Sequence, residues 1–227
     1  MKIKSIVFVA AMLSPALSFA SICLLSGASP LPFSTDFDLG PTAYNLIISN
    51  PDVDPALAAA RDVWNTTRAA GRIGHYSGTA LASDCPDGTK TMLGALSFDA
   101  SCTYTAPYRY GGTLAVTWPL SGGKKAILVN LDYPWSAAAV PSPIYTFDGV
   151  FDLQSVMAHE LGHALGLAHQ YSGVCGATSS PSCAAAPNKE TMAPLFTPMY
   201  SGLYGSGAEH CERTLESGDV NSANALY

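Results

Sequence analysis

The run His159-Glu160-Leu161-Gly162-His163, continued by Ala164-Leu165-Gly166-Leu167-Ala168-His169, gathers three of the chain's 5 histidines and a glutamate into one short stretch. On a helix, positions i and i+4 are separated by about 400° of rotation and about 6 Å of rise, so His159 and His163 project from one face and can reach a common ion. Gly166 permits a backbone turn that residues bearing a Cβ disfavour, which ends the helix and swings His169 back as a third ligand. Three neutral imidazoles leave a fourth position for water, the arrangement of a catalytic rather than a structural zinc. Glu160, one position after the first ligand, flanks the open side, where a carboxylate can take a proton from an activated water and return it to a leaving amine. The chemistry implied is hydrolysis of an amide. Histidines that were merely packed in a core would have no reason to fall into this spacing, and a structural zinc lacks an obvious fourth protein ligand.

The elements that must position these groups follow from periodicity. Leu153, Val156, Met157, Leu161, Ala164 and Leu165 recur at helical spacing, so a helix over 152–165 carries the motif on a broadly apolar body. Over 56–70, Leu57, Ala60, Val63, Trp64 and Thr67 mark a second amphipathic helix with Trp64 as its core anchor. Tyr44–Ser49 (YNLIIS) reads as a first strand and Met92–Phe98 as another. Thr113–Trp118 and Ala126–Leu131 read as two more, joined through Ser121-Gly122-Gly123 by a hairpin or a short crossover. The edge of a strand such as Thr113–Trp118 can hold an extended peptide by strand addition. Leu215–Tyr227 closes the chain as a short helix with Val220, Ala223 and Leu226 or Tyr227 inward.

Composition narrows the class. The 227 residues are 48% hydrophobic and 12% charged, enough apolar material for one packed domain and too little charge for a disordered chain. The formal charge of -6 provides no basic footprint for a phosphate backbone, which argues against a nucleic-acid partner. Lys2 and Lys4 precede an apolar stretch from Ile6 to Leu17, followed by Ser18-Phe19-Ala20, so residues 1–20 read as a signal peptide cleaved after Ala20. That stretch falls short of the roughly 20 residues a bilayer span needs, and Ser14 and Pro15 interrupt it, so no stable membrane association is expected after its removal. A lipoprotein anchor at Cys23 is disfavoured by the bulky Ile22 before it. Residues 21–40 read as a loop-like arm or short prosegment, and 41–227 as the catalytic domain. Export, extracellular or periplasmic, suggests that Cys23, Cys85, Cys102, Cys175, Cys183 and Cys211 form three disulfides, with fifteen connectivities open. Proximity favours Cys85 with Cys102 and Cys175 with Cys183, which leaves Cys23 with Cys211. A cysteine-ligated zinc site is disfavoured by the absence of any CxxC pair.

At these residues the sequence resembles the metzincin clan of zinc endopeptidases, and within it the matrixins and their small bacterial relatives. Phe151–Gly166 (FDLQSVMAHELGHALG) is similar to the matrixin lead-in to the active-site helix, Ala126–Trp135 to the strand before it, and Arg213–Tyr227 to the terminal helix. The resemblance implies an α+β fold: a twisted mixed β-sheet packed against the active-site helix and a second helix, with a smaller irregular C-terminal part after Gly166 that ends in a helix. It implies zinc at the base of a cleft held by His159, His163 and His169, with Glu160 as general base and acid. It also implies a methionine turn beneath the zinc, for which Thr191-Met192-Ala193-Pro194 matches the matrixin form and Met199 in Pro198-Met199-Tyr200 is a second candidate. The pocket beside the zinc is expected from the segment 195–204.

The sequence departs from that pattern in several places. Cys175 and Cys183 lie in a longer connection between His169 and Met192, and Gln170 stands where matrixins usually carry Ser. No cysteine-switch propeptide is visible, although Cys23 would mimic one if unpaired. His75 and His210 are too few for a second, structural zinc site. Calcium is a further candidate ion, through Asp148, Asp152 or Asp132, against the plainer reading of lone loop carboxylates as turn formers or helix caps. The function expected is a secreted, monomeric, zinc-dependent endopeptidase acting on proteins or peptides. The alternatives are a secreted binding protein on the same zinc fold and a zinc amidase acting on cell-wall peptides.

Overall fold

The computed structural model describes residues 22–28, 30–77, 81–98, 102–108, 112–138, 151–172, 174–177, 191–193 and 213–227. The segment read as a signal peptide lies outside them, as do Asp148, Cys183, Met199, His210, Cys211 and the stretch 195–204. Thr35–Leu39 forms strand β1, where the sequence reads as part of a loop-like arm or short prosegment. Phe37 and Leu39 are buried, whereas Asp36 accepts the amide proton of His75 at 2.7 Å and Asp38 pairs with Lys90 at 3.0 Å. Two aspartates give this segment little strand propensity, and pairing with strands on both sides supplies what propensity does not.

Helix α1 (Pro41–Ser49) replaces the strand expected at Tyr44–Ser49. Ile47 and Ile48 favour extended backbone, but Pro41 is preset for a first helical turn. Asp84, from a distant loop, accepts the amide protons of Thr42 and Ala43 at 2.9 and 3.2 Å. A carboxylate at a helix N-terminus satisfies orphan donors and opposes the dipole, so a tertiary contact overrides the local preference. Helix α2 (Val53–Asp62) tightens into a 3-10 turn at Val63–Thr66 and buries Leu57, Ala60 and Trp64, as their spacing predicts.

Strands β2 (Ile73–Ser77), β3 (Met92–Leu96), β4 (Ala115–Pro119) and β5 (Lys125–Asn130) join β1 in a five-stranded mixed sheet of order β2-β1-β3-β5-β4. The pairs β1/β2, β1/β3 and β3/β5 are parallel, and β4 runs antiparallel to β5, with Thr117 opposite Ile127 and Pro119 opposite Lys125. Gly122 and Gly123, at φ 69° and 76°, make the link between β4 and β5 a tight hairpin rather than a crossover. Strand β5 has neighbours on both sides and cover on both faces, so all of its residues are buried, which accounts for its continuous apolar run. Strands β2 and β4 are the two edges of this sheet.

A short parallel pair, β6 (Trp135–Ser136) with β7 (Phe151–Asp152), leads into helix α3 (Leu153–Leu165). Asp152 is its N-cap, accepting the Ser155 amide proton at 3.0 Å, and pairs with Arg213 at 2.6 Å. One carboxylate considered for calcium is thus a helix cap and an ion-pair partner, and another, Asp132, accepts the Phe98 amide proton at 3.0 Å. Helices α2 and α3 cover one face of the sheet, where the indole N–H of Trp64, 1% exposed, donates to the Ala158 carbonyl of α3 at 2.9 Å. Beyond α3 lie the hairpin β8 (Gln170–Tyr171) and β9 (Val174–Cys175), a turn at 191–192, and helix α4 (Ser217–Leu226). The buried stripe of α4 is Gly218, Asp219, Ser222 and Ala223, with Val220, Leu226 and Tyr227 only partly covered, so the apolar stripe expected there is instead largely polar.

The disulfide Cys85–Cys102 forms as proximity predicts. Cys175, however, pairs with Cys23 across 152 residues, which overturns the expected Cys175–Cys183 and Cys23–Cys211 bonds. The N-terminal arm runs beside the end of α3: Leu24 bridges Leu167, Leu25 donates to the Gly166 carbonyl at 2.9 Å, and Ala168 donates to the Cys23 carbonyl at 3.0 Å. These bonds carry Cys23 to the β8–β9 hairpin, so chain topology, not sequence distance, selects the partner. Peptide mapping of the oxidised protein without reduction is expected to release a fragment joining Cys23 to Cys175, and a Cys175–Cys183 fragment would contradict this arrangement.

Candidate active site

Three imidazoles meet where α3 ends. His159 and His163 stand one turn apart on α3, with ring centroids 4.7 Å apart. At Gly166 the backbone enters the left-handed region, with φ 103°. The Leu167 amide returns to the Gly162 carbonyl and the Gly166 amide to the His163 carbonyl, the paired bonds of a Schellman termination. A Cβ at Gly166 would press on Leu226 and Ala28, so glycine is required there by both conformation and space. The reversal sets the His169 ring 5.1 Å from His159 and 4.7 Å from His163. One donor atom from each of the three rings lies within 4.8 Å of the others, and the Nε2 atoms of His159 and His169 are 3.2 Å apart.

The tautomers follow from the neighbours. His159 Nδ1 faces the Thr191 carbonyl at 2.7 Å, and His163 Nδ1 faces the Leu167 carbonyl at 2.8 Å. A carbonyl only accepts, so each Nδ1 carries the proton and each Nε2 turns a lone pair towards the centre of the cluster. Burial pushes the pKa of His163 down to about 4, assisted by the proximity of His169, and burial also lowers that of His169. A buried set of imidazoles whose ring nitrogens converge, two of them 3.2 Å apart, fits a zinc ion.

Glu160 lies beside this cluster and is buried. Burial raises its pKa to about 7, against the lowering effect of a hydrogen bond from Thr117. That hydroxyl, on the edge strand β4, lies 2.6 Å from Glu160 Oε2. The sequence marks Thr113–Trp118 as an edge that could hold a peptide but gives no sign of this bond, which depends on β4 register: Thr117 stands opposite Ile127, on the face that α3 covers. Glu160 and the histidines line a cleft of ≈ 780 Å³ whose walls include β4 on one side and Leu25–Ala28 of the N-terminal arm on another. The segment read as an arm or prosegment is thus part of the cleft wall.

Met192 is fully buried in the turn at 191–192, and its sulfur packs against Gly162, between the two histidines of α3. A Cβ at Gly162 would run into this sulfur and the Trp64 ring, which explains glycine inside a helix here. The turn is held by Asp219 of α4, whose carboxylate accepts from the amides of Thr191 (2.8 Å), Met192 (3.2 Å) and Glu216 (3.1 Å) and from Gln170 Nε2 (2.8 Å). Burial raises the pKa of Asp219, and these hydrogen bonds work against that rise. Gln170, the departure noted after the third histidine, also accepts from Ser222 at 3.2 Å and so ties β8 to α4. Sequence reasoning missed Asp219; its signal was an acidic residue three positions after Glu216 in a helix start, which reads as an ordinary capping pattern.

The model of the matrixin family matches residues 63–177, a span that includes Trp64, β4, β5, α3 and all three clustered histidines. A comparison with curated proteins finds no match.

Replacing Asp219 by Asn turns an amide N–H₂ towards donors that have no alternative acceptor. Asp219→Asn is therefore expected to cost about 3 kcal/mol in urea unfolding and to weaken zinc binding about tenfold, read by competition with a chromophoric chelator. Unchanged zinc affinity would show that the Thr191 carbonyl holds His159 without help from α4.

Proposed function

The chain belongs to the matrixin family of zinc metallopeptidases, and on that premise we propose that it is a secreted endopeptidase whose general base and acid is Glu160. One observation carries this reading: a buried carboxylate, held by the Thr117 hydroxyl, stands beside a cluster of three imidazoles in an open cleft. His159, His163 and His169 would hold the zinc through ring nitrogens. When bound, zinc supplies Lewis acidity towards the scissile carbonyl and towards a water.

The protein's own groups do the rest. Glu160 takes a proton from the attacking water as its oxygen bonds to the carbonyl carbon, and passes that proton to the amine nitrogen as the C–N bond breaks. A carboxyl with a pKa near the working pH can both accept and return a proton, and burial provides that value here. The Thr117 hydroxyl occupies Oε2, which orients the carboxylate and leaves Oε1 for proton transfer. Strand β4, paired on one side only in the sheet, offers its outer backbone to an extended peptide, with the substrate laid against the edge by strand addition. Met192 gives the histidines an apolar floor and does not ligate. The N-terminal apolar stretch and the disulfides Cys23–Cys175 and Cys85–Cys102 support export.

The purified mature chain is expected to cleave an unfolded protein, with cleavage abolished by a zinc chelator. Glu160→Ala should retain zinc and lose about 100- to 10,000-fold in kcat. Full activity in that variant, freed of contaminating protease, would falsify the assignment; cleavage of cell-wall peptides but no protein would redirect it to an amidase. Thr117→Val is expected to lower kcat about tenfold with little change in KM, and Thr117→Ser to restore it. A loss shared by the valine and serine variants would mean that Thr117 matters to the strand rather than to Glu160.

A further inference from the structure

Lys125 is the residue of the cleft that the chemistry above leaves unused. It opens β5, where every residue is buried, and is itself only 8% exposed while lining the same cleft as Glu160. Its position follows from the pleat. Ile127 and Val129 face the helices, so Lys125 does as well, and it stands opposite Pro119, two residues along the edge from the Thr117 that touches Glu160. Lys90 pairs with Asp38 and Arg213 with Asp152, yet the Lys125 ammonium has neither an ion pair nor a hydrogen bond among the described residues. Burial lowers its pKa, and among the described residues Glu160 is the only acidic one lining the cleft.

A partly desolvated charge without a counter-charge is unfavourable, and that cost is recovered when an anion arrives with a ligand. We propose that Lys125 is a specificity determinant that selects peptide substrates carrying an aspartate or glutamate side chain. The inference rests on the endopeptidase reading and adds the substrate class. A peptide laid antiparallel to β4 runs from the Pro119 end towards the Ala115 end, so the acidic residue belongs on the N-terminal side of the scissile bond. At about 3.3 Å per residue, the two-residue offset from Thr117 puts it roughly two to three residues upstream. The opposite end of the cleft is apolar, built by Leu114, Ala115 and Val156, so the two ends differ in the side chains they accept.

The test is a set of otherwise neutral peptides in which one glutamate is moved through the positions on both sides of the scissile bond. With the zinc-loaded protein, kcat/KM is expected to rise about tenfold when glutamate stands two or three residues upstream, relative to glutamine at the same place. In Lys125→Met, which keeps the apolar stem and the fold as checked by thermal melting, that ratio should fall to about one, and in Lys125→Glu lysine should be preferred over glutamate. A ratio of one in the unaltered protein, or a tenfold ratio that survives Lys125→Met, overturns the inference. Calorimetric binding of the same peptides to Glu160→Ala separates the two levels of the argument. Acid-selective binding lost in Glu160→Ala/Lys125→Met, without cleavage of any peptide by the unaltered protein, would sink the endopeptidase reading and keep the recognition, and unselective binding without cleavage would sink both.

Discussion

The carboxylate of Asp219 is the constraint on which the histidine cluster and its surroundings depend. It gathers the amides of Thr191 and Met192, the side chain of Gln170 and the first turn of α4 around one buried charge. Through Thr191 it reaches His159, whose Nδ1 donates to the Thr191 carbonyl, and through Gln170 it fixes the residue that follows His169. Two ligands separated by the end of α3 are thereby referred to the same helix near the C-terminus. Met192 completes the arrangement from below, filling the space that Gly162 leaves in the flank of α3. A buried charge satisfied by four donors has one low-energy geometry, and shifting any member leaves donors unpaired.

On the other side of the cluster, the environment of Glu160 is set by the sheet rather than by α4. Burial favours its neutral form and the Thr117 hydroxyl favours its charged form, and their balance leaves it near neutrality. Both influences come from β4 lying across α3, and that placement is fixed by the tight hairpin to β5. The N-terminal arm then forms one wall of the cleft, tied to the β8–β9 hairpin by Cys23–Cys175 and to the end of α3 by backbone bonds. Strong polar groups are few in this cleft. Glu160 and Lys125 stand at different levels along the same edge, the first beside Thr117 and the second opposite Pro119.

Where the sequence misleads, the cause is a contact from far along the chain. Ile47 and Ile48 argue for a strand, and Asp84 makes that segment a helix by taking up its first amides. Asp36 and Asp38 argue against a strand at 35–39, yet both are used, one as a backbone acceptor and one as an ion-pair partner. In α4 the large apolar side chains, Val220 and Leu226, are less buried than Asp219 and Ser222, because the neighbours of that helix include the polar amides of the methionine turn and Gln170.

What the sequence determined by itself is the chemistry that depends on local spacing. The i, i+4 histidines, the adjacent glutamate and the glycine that ends the helix lie within eight residues, and helical geometry alone brings the two histidines together. The helical faces anchored by Trp64 and Leu161 and the apolar run of β5 were legible for the same reason, since periodicity reports burial within one element. Only the tertiary structure decided which groups from other elements surround that motif: Thr117 on Glu160, the Thr191 carbonyl on His159, Asp219 beneath the turn, the arm along the cleft and Cys23 on Cys175. Those pairings span up to about two-thirds of the chain, and local propensity carries no information about which distant residues packing and strand register will bring together.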